Sequence, residues 1–142
     1  MAQGRSFRRQ QGEVIMTRGN AAYSVFEYLY RDAANYKVWG PLLLLGKHTQ
    51  EDIAALRACM ESSEYFVAEQ VGIPPLYKEL WVLSDGPTED DHALHEFVEL
   101  RTARQEDTET LPVFGELTKL MTAFQSVSRW DYSLSPNCDM GH

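Results

Sequence analysis

A chain of 142 residues, 44% hydrophobic, 11% aromatic and 24% charged, can bury about two-thirds of its unfolded surface and has globular proportions, which excludes a disordered chain. Its formal charge of −8 is uneven: residues 1–20 hold four arginines against one glutamate, a net of +3, which leaves −11 on residues 21–142. Such an acidic body repels nucleic-acid phosphates and anionic membrane and draws in cations and basic partners, so nucleic-acid contact is expected only weakly, through the arm.

Residues 1–20 are rich in Arg, Gln and Gly without periodicity and read as a flexible basic arm, with Met16 as an alternative start. Arg8-Arg9 is not followed by an apolar segment, so no export signal is expected, and the longest apolar run, Val38 to Leu45, is too short to span a bilayer. Cys59 and Cys138 do not make a disulfide framework, which together with these features points to the cytoplasm.

Tyr23 to Tyr30 and Tyr36 to Leu45 are dense in aromatic and β-branched residues, with Asp32-Ala33-Ala34-Asn35 as turn chemistry between them, and predict a hairpin. Pro41 cannot donate to a sheet ladder and places the second strand at an edge or bulge. Thr49 followed by Glu51 and Asp52 is an N-terminal signature for a helix over about 50–61, with Ile53, Leu56 and Met60 on its buried side. After Gly72-Ile73-Pro74-Pro75, Tyr77 to Leu83 reads as a third strand.

Two periods compete in Thr88 to Arg101. A strand from Leu94 puts Leu94, Glu96, Val98 and Leu100 on one face and His95, Phe97, Glu99 and Arg101 on the other; a helix capped by Thr88 puts Leu94, Phe97, Val98 and Arg101 together. The strand is preferred because it completes a β-β-α-β-β-α order. Val113, Leu117, Leu120, Phe124 and Val127 form a helical stripe that supplies the last helix. The expected fold is two-layer α+β: a four-stranded, mainly antiparallel sheet with two helices on one face. One domain runs from 21 to 132, and residues 133–142 form a flexible tail.

Candidate chemistry falls into three groups. Asp91, His92, His95 and Glu96 carry divalent-metal ligand types at short spacing, but on a strand His95 and Glu96 point to opposite faces, and the spacing departs from His-Glu-x-x-His. The competing reading is a solvated acidic loop entering a strand. Tyr28, Trp39, Trp81 and Phe97 supply aromatic surface if one sheet face is open, and core packing if it is not. Residues 85–109 carry nine acids against two arginines, a net of −7, either as a solvated face or as a docking surface with Glu99, Glu106, Asp107 and Glu109 at its centre.

No nucleophile elbow, phosphate-binding glycine loop or Cys-x-x-Cys occurs in the chain. The sequence therefore favours a non-catalytic interaction protein, without cofactor, that binds a basic protein through an acidic and aromatic surface, with inhibition of that partner as the sharper form of the expectation. A metal-dependent hydrolase at Asp91, His92, His95 and Glu96 is the alternative.

Overall fold

The computed structural model describes residues 23–81 and 86–137, so the basic arm, Val82 and Leu83 of the expected third strand, Asp85 and Cys138 lie outside the described residues. Strand β1 (Tyr23–Arg31) and strand β2 (Lys37–Leu45) form the expected antiparallel hairpin, paired from Tyr23↔Leu45 to Arg31↔Lys37. The turn closes because Asn35 accepts a positive φ of 71°, which its short polar side chain tolerates, while the Asp32 carboxylate accepts the Tyr36 backbone N–H at 2.9 Å.

Helix α1 (Gln50–Cys59) begins where the sequence indicates. The Thr49 hydroxyl accepts the Asp52 N–H at 3.1 Å, and the Asp52 carboxylate accepts the Thr49 N–H at 2.9 Å, a reciprocal cap that satisfies two otherwise orphaned donors. The described part of the expected third strand is not extended: Tyr77–Glu79 is a 3-10 turn, and the place beside the fourth expected strand goes to β3 (Tyr65–Val67). Three residues are too few for an alternating pattern to stand out in a sequence. Strand β4 (Leu94–Thr102) resolves the 88–101 ambiguity in favour of the strand from Leu94.

Beyond it come a six-residue helix α2 (Gln105–Thr110), strand β5 (Val113–Glu116) and helix α3 (Leu117–Gln125). Among the described residues the sheet thus has five strands rather than four, in the order β3-β4-β1-β2-β5, and is mixed, because β5 runs parallel to β2 while the other pairs are antiparallel. Among the described residues there are three helices rather than two. The helix begins later than the stripe predicts: Val113 and Phe114 are exposed strand residues, and the buried side of α3 is Leu117, Leu120, Met121 and Phe124. Pro41 is accommodated because β5 reaches only Leu43–Leu45, so β2 has no strand neighbour outside Pro41 among the described residues.

Residue parity along the hairpin decides the layers. Phe26, Tyr28, Leu42 and Leu44 face α1 and α3, where they join Leu56, Phe66, Phe97, Leu100, Leu120 and Phe124 in the main core. Val25, Glu27, Leu29, Arg31, Trp39, Pro41 and Leu43 occupy the second face, which Ala103 and Leu111, flanking α2, cover only beside Val25 and Leu43. A bulge between Glu27 and Tyr28 in the β1–β4 register corrects the expected faces of β4: Phe97 and Leu100 both enter the core, while Arg101 turns to the second face.

The hairpin also explains Gly40, which lies opposite Tyr28. A β-carbon there would come within 3.0 Å of both Leu76 methyls and of Tyr28 Cε1. Gly40→Ala is expected to destabilise the protein by about 1–3 kcal/mol, as overpacking does, measured by chemical denaturation; an unchanged midpoint would show that Leu76 yields freely. Among the described residues no helix is long and apolar enough to cross a membrane.

Candidate functional site

The metal-ligand candidates are placed by β4 and the loop before it, and each is already engaged. The Asp91 carboxylate accepts the Tyr30 hydroxyl at 2.5 Å and the Thr88 N–H at 2.9 Å. His92 Nδ1 accepts the Leu94 N–H, which leaves the proton on Nε2 to donate to the Arg31 carbonyl at 2.7 Å. His95 is fully buried, with Nε2 accepting the Leu76 N–H at 3.0 Å. Glu96 points to the other face, where Arg31 grips both its oxygens.

Strand alternation therefore separates His95 from Glu96, and among the described residues no group of three or more His, Cys, Asp or Glu side chains is placed to hold a metal ion. The cluster is a hydrogen-bonded seam that fixes the loop before β4 to the end of β1. Asn137 extends it, donating from Nδ2 to the His92 carbonyl at 3.1 Å. Ser135 and Asn137 are both buried, so the described end of the chain packs beside this seam.

The aromatic candidates separate in the same way. Tyr28 and Phe97 are 1% and 3% exposed and belong to the core, and the Arg57 guanidinium lies over the Phe97 ring at 4.8 Å. Trp81 packs on Tyr77 with ring centroids 4.9 Å apart, away from the sheet's second face. Of these four, Trp39 is the exposed one, at 58%. The sequence correctly groups the odd and even residues of β1, but parity alone does not say which set the helices cover.

Around Trp39 the second face forms a groove of about 260 Å³, lined by Glu27, Trp39, Gly40, Pro41, Arg101, Glu106, Asp107, Thr110 and Leu111. Three elements build it. The hairpin supplies Glu27, Trp39 and Pro41; the bulged end of β4 supplies Arg101; and α2 supplies the acidic rim. Arg101 fixes the floor, with Nε donating to Glu27 at 2.7 Å and the two terminal nitrogens to Asp107 at 2.7 and 3.2 Å. Glu99 lies 3.7 Å from the same Nε. Glu27 and Glu99 are directly opposed across β1 and β4, a repulsive pair that the guanidinium between them neutralises.

The Arg101 side chain is 14% exposed and that of Asp107 12%, so this is a largely buried bidentate pair with fixed geometry. The hydrogen bond from Arg101 holds the Asp107 carboxyl below its usual range, helped by the Arg104 backbone N–H, which donates to it at 2.8 Å; Asp107 in turn keeps the Arg101 guanidinium firmly protonated.

Of the residues expected from sequence to form a binding surface, the groove gathers Trp39, Glu106 and Asp107, with Glu99 beside its arginine. Glu109 sits on α2 and accepts from Gln105 Nε2 at 2.8 Å, outside the lining. Glu27, Gly40, Pro41, Arg101, Thr110 and Leu111 are the additions. Glu27 shares the strand parity of the hairpin's second face and was legible in principle, but Arg101 reaches that face only through the bulge. The four charged lining residues carry a net charge of −2, in a groove with one indole, one proline and one leucine as apolar walls. No family model, curated protein or solved structure matches the chain.

Proposed function

We propose that this protein is a non-catalytic binding module that docks a basic protein partner on the second face of its sheet and thereby masks the partner's basic surface. The observation that carries the reading is the groove itself, where an exposed tryptophan stands beside carboxylates that one internal arginine only partly neutralises. Aromatic anchors rimmed by charge are the usual centres of protein interfaces, and the charge of −11 on residues 21–142 steers a basic partner towards it.

The test is association kinetics with a partner captured from native lysate and identified. The on-rate is expected to fall steeply with added salt while dissociation changes less, because exposed charges are screened over about 10 Å at 0.1 M. Glu106→Lys with Glu109→Lys should slow association without unfolding the protein, since both are exposed on α2. Asp107 is excluded from the reversal because it holds Arg101. Glu51→Lys, on the exposed start of α1, is the control. An on-rate indifferent both to salt and to reversal on α2 would remove the docking role from this face.

A further inference from the structure

Resting on that reading, we infer that the groove receives a single lysine side chain of the partner, its methylene stem along Trp39 and Leu111 and its ammonium between Glu27 and Glu106. Size comes first. At about 260 Å³ the groove is smaller than the roughly 300–1,000 Å³ typical of cofactor and drug-sized ligand sites, and it matches one long side chain. Its walls then select an amphipathic occupant, because an indole and a leucine line the same groove as carboxylates, an arrangement that suits an apolar stem with a cationic tip.

Lysine is favoured over arginine by what is already in place. A guanidinium binds best through a two-pronged contact with one carboxylate, and Arg101 takes both oxygens of Asp107 in that way, with the Arg104 N–H sharing one of them. Glu27 gives Arg101 only one oxygen, Oε2, and Glu106 makes no ion pair among the described residues. These are separate acceptors on two elements rather than a free fork. A compact ammonium with three donors suits separate acceptors of this kind, whereas a planar guanidinium would find both oxygens of one carboxylate only at Glu106, on the exposed rim.

The experiment is a titration of the full chain with capped Gly-Lys-Gly, Gly-Arg-Gly and Gly-norleucine-Gly peptides, followed by the Trp39 indole N–H resonance. The lysine peptide should shift that signal saturably in roughly the millimolar range, as befits one side chain. The arginine peptide should bind at least about fivefold more weakly, and norleucine, with the same stem and no charge, should give no saturation. Trp39→Leu, which replaces an exposed ring and should fold, is expected to abolish the lysine effect on the neighbouring Gly40 amide, and Glu106→Gln to weaken it severalfold.

Absence of saturation with lysine, equal binding of norleucine, or equal binding of arginine would each overturn the inference. Failure here is distinguishable from failure of the docking role. A partner that associates in the salt-dependent manner above, equally well with Trp39→Leu, would leave the docking face standing without its lysine pocket.

Discussion

Acidification is expected to destabilise this protein well before its carboxylates finish protonating, because His95 is buried in its neutral form. It lies among the rings of Tyr28, Tyr30, Phe66 and Tyr77, with centroids 5.2 to 6.1 Å away, and desolvation together with the nearby His92 lowers its pKa from 6.5 to about 3. The unfolded chain binds a proton at this residue below 6.5, whereas the folded chain binds one only near 3. Stability contributed by neutral His95 is therefore complete above 6.5 and is lost progressively as the pH falls from 6.5 towards 3.

At about 1.4 kcal/mol per unit of separation the full loss is on the order of 4–5 kcal/mol, a large share of a domain stability of 5–15. His95→Gln is the matched variant, since its amide oxygen can still accept the Leu76 N–H but does not titrate in this range. Denaturation midpoints of wild type and variant should converge as the pH falls, with the wild type losing more. Parallel curves across that window would mean that His95 is not held neutral. The depressed Asp107 carboxyl acts in the same direction, its contribution being present above the unfolded carboxylate pKa and lost as the pH falls through its lower folded value.

Phe124→Ala is expected to cost about 3–5 kcal/mol, and Leu120→Ala about 2–5. Phe124 is fully buried at the centre of an aromatic cluster, 5.4 Å from Phe66 and 6.0 Å from Phe26, each measured between ring centroids. Its truncation leaves a cavity walled by rings from β1 and β3 that cannot collapse without moving the sheet. Trp130 would lose its edge contact as well, and its indole N–H, which donates to the Cys59 carbonyl at 3.1 Å, ties the chain after α3 to the end of α1. Lys119→Ala, on the exposed side of α3, should change stability by no more than about 0.5 kcal/mol. Urea denaturation of the three variants is the measurement, and equal effects at all three positions would contradict the orientation of α3.

Local chemistry settled in advance the elements whose signals lie within one turn or one strand. Thr49 with Asp52 marks the start of α1, Asp32 to Asn35 the hairpin turn, and Leu117, Leu120 and Phe124 the buried side of α3; each is a contact between near neighbours in sequence, so the pattern and the structure are the same fact. The α+β class follows from those segments. What the residues alone left open depends on distant pairings. Which face of β1 is covered, whether Tyr65–Val67 and Val113–Glu116 find neighbours to pair with, and the bulge that turns Arg101 away from the core are decided by how the helices and strands fit together, not by any local preference. That is why Tyr28 and Phe97, surface candidates by sequence, are core, and why His92 and His95, ligands only in the alternative reading, are hydrogen-bonded struts. The groove around Trp39 joins residues 27, 39, 101 and 107, and only the tertiary pairing of three separate segments, held by one arginine between carboxylates, brings them to one place.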